Sequence, residues 1–549
     1  MDKLPPEILL AILNYTVISL YGNKNRLLEL RTTCKLFDDI LKPYALRTLQ
    51  LEYTRLDKVH CGLKPPDENA LRRIGHLCRA LYLDMMVVRD DREVSFLSQL
   101  FEPLPAMAPF VSRLRDRYRM NEESFSELEY REKLETMLEH VPNASAVRIN
   151  LPFHIVFVYP GYCRAATMIL GNTFKALASR PEESQPLKTL VIENLTDTTV
   201  RNLWYNPLDV QNIINVFRDL KHMVLSVRRQ EKNLPHTMDF HHRLWEMIHT
   251  AGELESLCLI GLDMDEKRLK DVKTSSERDC TLQDWQFRSI PTIHKPPKSS
   301  LPHLTYLELR HVEVMGSGLV RMLKCFCSSL RELYLDGVYL KTVHSPSGGL
   351  EITNTLWVGL PNVRPDLQHR WIATCLRQMG AQLRVCRATN LGYDQYVIGE
   401  ELLHTPAHDL ADPCGLGRTL EQRFVEVATG IKQPDAPDGT PVAYWPDDPS
   451  HAWAYADRER PSPAAASQDW DARTYLAAEA NPTSLWKRTI DGQFPNCNPF
   501  TLDALHDIAD NTYAGFRAKN LLREQAGGED VDPFYALYYG WHLSPADAE

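Results

Sequence analysis

Two periodicities of apolar residues divide this chain. In the first fifty residues the period is helical. Pro5 and Pro6 suit a helix start, where the missing N–H is not needed, and Glu7 favours the positive end of the dipole. Ile8, Leu9, Ile12 and Leu13 then repeat at i, i+1, i+4 and i+5, which gives one apolar face. The polar run GNKNR at 22–26 breaks that helix. In LLELRTTCKLFDDIL, Leu27, Leu30, Cys34, Phe37 and Leu41 follow at steps of 3, 4, 3 and 4, so the spacing predicts a second amphipathic helix over 27–41. Residues 1–53 therefore read as three short helices.

From there to about residue 400 the recurring unit is L-x-x-L-x-L. The clearest copies are LKTLVI at 187–192, LESLCL at 254–259, LTYLEL at 304–309 and LRELYL at 330–335. Weaker copies are LRTLQL at 46, CRALYL at 78, ASAVRI at 144, LKHMVL at 220 and LRVCRA at 383. Successive starts differ by 32, 66, 43, 33, 34, 50, 26 and 53 residues. In a chain that is 44% hydrophobic, three fixed apolar positions recur by chance, so context decides. REKLETMLEHVPNASAVRI at 131–149 runs from a 3.6-residue period through a turn into an alternating strand, and MIHTAGELESLCL, RMLKCFCSSLRELYL and CLRQMGAQLRVCRA repeat that order. Short helices alternating with strands at such spacings predict an irregular leucine-rich-repeat solenoid over 51–400. The alternative is an irregular α/β domain whose strands happen to be rich in leucine.

In a strand, side chains between buried leucines point to the opposite face. In the clearest units these are Thr189, Val191 and Glu193; Ser256, Cys258 and Ile260; Tyr306, Glu308 and Arg310; and Glu332, Tyr334 and Asp336. The last two units, with their mix of Tyr, Arg and acidic side chains, have the chemistry that suits recognition. The plain reading of the same positions is a solvated sheet face.

Composition changes after residue 400. Residues 401–549 hold 24 acidic and 11 basic side chains, a net charge of −13 within a whole-chain total of −10. KQPDAPDGTPVAYWPDDPS at 432–450 and DRERPSPAAASQDWD at 457–471 are rich in Pro and Asp, which predicts an acidic, partly disordered tail. Within it, 500–525 and the aromatic cluster at 532–541 read as short helices.

The remaining chemistry mostly excludes. A net charge of −10 and a pI near 6.0 argue against a nucleic-acid partner. No stretch reaches about 18 uninterrupted apolar residues, so no membrane span is expected. MDKLPPEILL places prolines and an acid where a signal peptide needs an apolar run. Twelve scattered cysteines without a CxxC pair read as reduced thiols of a cytoplasmic or nuclear protein, not as a zinc site. His236, His241, His242 and His249 lie close in sequence but lack an HExxH-type ligand set, and no metal or cofactor is expected. MGSGL at 315–319 and HSPSGGL at 344–350 read as loops, and no nucleophile elbow or phosphate-binding loop is present. The chain thus reads as a non-enzyme.

LPPEILLAIL at 4–13 followed by LLELRTTCKLF at 27–37 resembles the F-box family in content and order. Leu4, Pro5, Glu7, Ile8, Ile12 and Leu13 match the first part of the family pattern; Leu28, Leu30, Cys34 and Phe37 match the second. Phe37 stands where the family often has Trp, and the connection from Tyr15 to Leu27 is longer than usual. The resemblance implies a three-helix F-box over 1–50 that docks a Skp-type adaptor, and through it a cullin, using Leu4, Pro5, Glu7, Ile8, Ile12, Leu13, Leu30, Cys34 and Phe37. An apolar helix face laid into a partner groove gains roughly 1.5–3 kcal/mol per fully buried Leu or Ile. An F-box followed by leucine-rich units is similar to F-box proteins abundant in filamentous fungi. That implies the substrate receptor of an SCF-type ubiquitin ligase, with the repeats holding an unknown protein substrate and Tyr306, Glu308, Arg310, Glu332, Tyr334 and Asp336 as its candidate substrate-binding residues. The alternative is a leucine-rich interaction scaffold acting outside an SCF complex.

Overall fold

The computed structural model describes residues 5–20, 24–52, 67–85, 126–152, 164–228, 237–261, 301–340, 343–344, 350–351, 355–358, 370–378, 383, 385–389, 391–393, 419–429, 489 and 492–494. The helices expected at 500–525 and 532–541 lie outside these residues. Among the described residues the fold is mixed α/β, with twelve helices and one large parallel sheet.

Three helices come first: α1 (Pro6–Ser19), α2 (Lys24–Arg31) and α3 (Lys35–Ala45). Pro6 and Glu7 occupy the first turn of α1, as the dipole argument requires. The helix expected over 27–41 is two helices, broken at 32–34. The Thr32 hydroxyl donates to the Glu29 carbonyl, and the Thr32 and Thr33 N–H groups close three-residue turns on Glu29 and Leu30. Such local bonds compete with a continuing helix. Cys34 is extended and starts α3 as its N-cap, and Arg31 bridges the break by pairing with Asp38 at 2.7 Å. The bundle has its own core of Leu9, Leu13, Leu27, Phe37, Leu41 and Ala45. It meets the sheet where Lys24 Nζ donates to the Thr48 carbonyl at 2.8 Å.

The sheet runs β1 (Thr48–Glu52), β2 (Ala80–Asp84), β3 (Ala146–Asn150), β4 (Thr189–Thr196), β5 (His222–Arg228), β6 (Ser256–Gly261), β7 (Tyr306–Val314), β8 (Glu332–Leu340) and then β13 (Val385–Thr389), every pair parallel. Short pieces lie between the last two: β9 (Val343–His344), β10 (Leu350–Glu351), β11 (Thr355–Leu356) and β12 (Arg370–Trp371); β14 (Gly392–Tyr393) pairs with β8. All nine L-x-x-L-x-L units form strands, each starting at the third residue of its unit. Thr48, Ala80, Ala146, Thr189, His222, Ser256, Tyr306, Glu332 and Val385 form one cross-strand row. The uneven spacing is absorbed between strands. At most units, one carbonyl just before a strand accepts two successive N–H groups from the next unit: Lys188 O from Lys221 and His222, Lys221 O from Glu255 and Ser256, Thr305 O from Arg331 and Glu332. Where it occurs, this fork locks a unit to its neighbour regardless of what is inserted between them.

Helices connect the strands: α4 (Glu68–Ile74), α5 (Glu127–His140), α6 (Arg164–Ala178), α7 (Asp197–Tyr205), α8 (Pro207–Phe217), α9 (Thr237–His249), α10 (Gly316–Phe326) and α11 (Ile372–Gln378). Their apolar faces join the strand leucines in one continuous core, including Leu83, Ile149, Leu190, Leu225, Leu257, Leu307 and Leu333. Phe174 of α6 meets Phe217 of α8 edge to face, with centroids 5.6 Å apart. MGSGL is not a loop: Met315 is the N-cap of α10 and Gly316 its first residue. A Cβ at Gly316 would lie 2.4 Å from Thr355 Cβ, so glycine allows that close approach.

The core also passes residue 400. Helix α12 (Leu420–Thr429) buries Phe424 and Val425 in the same core, with Phe424 edge to face on Trp357 at 5.5 Å. Glu421 accepts a hydrogen bond from the Leu391 N–H at 3.1 Å.

Thiol chemistry tracks this burial. Burial pushes Cys78 up to about 11, partly offset by Lys24, and pushes Cys386 up to about 12; Cys34 and Cys325 are exposed. Iodoacetamide at pH 8 should therefore label Cys34 and Cys325 of the native chain and leave Cys78, Cys258 and Cys386 unmodified, as mapped by peptide mass spectrometry, since the thiolate is the nucleophile.

Candidate functional site

Two surfaces combine unusual chemistry with a defined position. The first is the outward side of α1. Leu9 and Leu13 point into the bundle, with Val17 and Leu20 partly buried behind them. The other side carries Ile8, Ile12, Tyr15 and Ile18, which are 49%, 42%, 74% and 69% exposed, and Leu10, 45% exposed, lies on the far flank of the buried side. A helix that is apolar all round belongs between two surfaces, and the bundle supplies one. Leu36 and Tyr44 of α3 add exposed apolar area.

The structure divides the sequence-derived adaptor set. Pro5, Glu7, Ile8 and Ile12 are exposed, as is Cys34 at the start of α3. Leu13 and Phe37 are buried in the bundle core, where they hold the helices together. Leu30 is partly buried against that core. Leu4 lies outside the described residues. Sequence reasoning missed Tyr15 and Ile18, which follow Ile8 at steps of seven and three and so extend its face.

The second surface is the sheet face opposite the leucine core. No described helix contributes to its apolar cluster, which contains Tyr82, Val191, Val224, Cys258, Tyr306 and Tyr334. Its central row runs Gln50, Tyr82, Arg148, Val191, Val224, Cys258, Glu308, Tyr334, Arg387 across successive strands. At the β2–β4 side, Arg148 donates to both Glu193 oxygens at 2.7 and 2.8 Å and lies over the Tyr82 ring at 4.4 Å. A side-chain relay runs beside them: Asn194 Nδ2 donates to Asn150, and Asn150 Nδ2 donates to Asp84. Asn194 holds a positive φ of 59° where the β4–β5 register shifts.

At the β7–β8 side, Tyr306 and Tyr334 stack with centroids 4.9 Å apart. The Tyr306 hydroxyl donates to Glu308 at 2.8 Å; burial, then the Glu308 charge, pushes that hydroxyl up, so it stays a donor. Arg310 donates to Asp336 at 2.9 Å, and Thr389 donates to the other Asp336 oxygen at 2.8 Å. Burial works against the Arg310 cation, but Asp336 and then Glu308 outweigh it and raise its pKa. Glu332 receives a long contact from the Tyr334 hydroxyl at 3.5 Å. Arg387 is buried over the Tyr334 ring at 5.7 Å, and its Nε and Nη1 have no hydrogen-bond partner.

All six candidate substrate residues thus share one face on adjacent strands. That face is not a plain solvated one: Tyr306, Glu308 and Tyr334 are buried, and Arg310 and Asp336 are about a quarter exposed. Its chemistry suits recognition, with stacked aromatics, a prearranged carboxylate–guanidinium pair and a buried guanidinium edge.

The histidine run supplies pairs. His242 approaches Glu246 at 3.0 Å, and His249 lies beside Trp245. Among the described residues no three His, Cys, Asp or Glu side chains are grouped to share a metal ion, and no helix is long and apolar enough to cross a membrane. Comparison with known protein families finds no match to this chain, and comparison with curated proteins finds none either.

Proposed function

We propose that this chain is the substrate-recognition subunit of an SCF-type ubiquitin ligase: an F-box made of α1–α3 docks a Skp-type adaptor, and an irregular leucine-rich solenoid built on the parallel sheet receives the substrate. The observation that carries the reading is the apolar outer face of α1, with Ile8, Ile12 and Tyr15 exposed on a helix whose opposite side is already buried. The order of motifs in the sequence, LPPEILLAIL before nine strand-forming leucine-rich units, supports it. The protein's task on this reading is proximity. The receptor holds a target near the charged conjugating enzyme, and no side chain of its own performs chemistry.

The test is a pull-down with a purified Skp-type adaptor and its cullin. The wild-type chain is expected to capture both. Ile8→Ala and Ile12→Ala should each weaken capture roughly tenfold, at more than about 1 kcal/mol per anchoring side chain, without lowering the melting temperature, because neither side chain is in the bundle core. Leu13→Ala should act differently, by unfolding the bundle. A folded wild-type chain that captures no adaptor would remove the ligase reading and leave the interaction scaffold.

A further inference from the structure

One member of the second sheet-face cluster comes from far away in sequence. Phe494 is buried to 2% exposure and belongs to the cluster of Tyr82, Val191, Val224, Cys258, Tyr306 and Tyr334. It lies on no strand of the sheet and on none of the twelve helices. Between Thr429, the end of α12, and Thr489, the next described residue, lie 59 residues. The local sequence, DGQFPNC at 491–497, offers one large apolar side chain flanked by Gly, Gln, Pro and Asn. Gly492 is exposed and Gln493 half-buried, so among the described residues of this segment Phe494 is the buried apolar one, with Thr489 buried before it. The face complements it: Val191, Val224 and Cys258 are consecutive small apolar members of the central row, with hydrogen-bonding groups of Arg148 and Glu193 on one side and Glu308 and Tyr306 on the other.

We propose that the sheet face is a binding site for a peptide segment presenting an aromatic side chain, and that the chain's own segment around Phe494 occupies it as an intramolecular competitor. This rests on the reading that the sheet face is the recognition surface, but not on adaptor docking. The competitor and the site share one chain, so a ligand arriving from solution contends with a local concentration, not a bulk one. An aromatic anchor is a contact that a better ligand can displace, since hot-spot contacts of this type each change affinity by roughly 10- to 100-fold. The face would then be closed until a substrate with a stronger aromatic segment arrives.

The experiment uses the full-length chain, a Phe494→Ala full-length variant, and a fluorescent synthetic peptide of residues 484–496 as the probe. By anisotropy, the variant is expected to bind the peptide at least tenfold more tightly than the wild-type chain does, and a peptide carrying Phe494→Ala should bind neither. Cys258 reports the location. Its alkylation should rise in the variant and fall again when the peptide is added. Equal binding by both chains, or binding by neither, overturns the proposal. So does peptide binding that leaves Cys258 labelling unchanged, which would place the peptide elsewhere. Loss of the variant's cooperative melt would show Phe494 to be a fixed core residue and overturns it equally. Adaptor capture by the variant should match the wild type, so failure here and failure of the ligase reading are separable.

Discussion

Glu193→Ala should lower the unfolding free energy by about 3–5 kcal/mol, the usual cost of stranding one partner of a buried ion pair. Arg148 and Glu193 form a two-pronged contact at 2.7 and 2.8 Å, with side chains 8% and 11% exposed. Removing the carboxylate takes away the two-pronged partner of a buried guanidinium that lies over the Tyr82 ring at 4.4 Å. The pair is not expected to be a large net source of stability, because desolvating two charges offsets much of their attraction. The double variant Arg148→Met/Glu193→Leu should therefore recover most of the loss. Urea unfolding of the three proteins decides it. A Glu193→Ala effect under about 1 kcal/mol would mean that water reaches the pair.

Phe217→Ala is the second large effect, at about 3–5 kcal/mol for a buried Phe truncated to Ala. Phe217 is fully buried at the end of α8 and meets Phe174 edge to face, so truncation removes both the buried area and the ring pair. Leu220 follows it by three residues, and the Leu220 N–H bonds to the Phe217 carbonyl in the turn that leads into β5. The loss should therefore appear as a cooperative drop in the urea midpoint with raised amide exchange in β5. A local effect confined to α8 would contradict the continuous core.

The strands were legible because their signal is short and local. A unit such as LESLCL states both its period and its buried positions, and even ASAVRI, with no leucine, takes its place in register between CRALYL and LKTLVI. Helix boundaries were harder. The apolar steps 27, 30, 34, 37, 41 continue across the break at 32–34 because α2 and α3 pack into the same core, so spacing alone carries no trace of the turn. Helix α12 was hidden by its surroundings: the acidic, Pro-rich composition after 400 masked LEQRFVEVAT, whose Phe424, Val425 and Val427 carry an ordinary helical stripe.

The candidate site was half legible. Alternation placed Tyr306, Glu308, Arg310, Glu332, Tyr334 and Asp336 on one face, yet predicted nothing about its burial, which involves a residue as distant as Phe494. In α1 the spacing predicted one apolar face, but Ile8 and Leu9 are adjacent, and only packing shows that Leu9 and Leu13 turn inward while Ile8 and Ile12 turn out. Tyr15 and Ile18 escaped notice because the sequence pattern was matched to one face.

The contact between Lys24 and the Thr48 carbonyl has a bearing on solubility. Among the described strands β1 pairs with β2 alone, so its far side is a free margin of the sheet. Such a margin recruits strands from other molecules unless something blunts it, and a lysine is a common blunting device. By anchoring α2 at Thr48, Lys24 stations the helical bundle at that margin. Cutting the bundle away to obtain the sheet alone would thus strip its guard, and the truncated protein should form filaments or precipitate where the full chain stays dispersed.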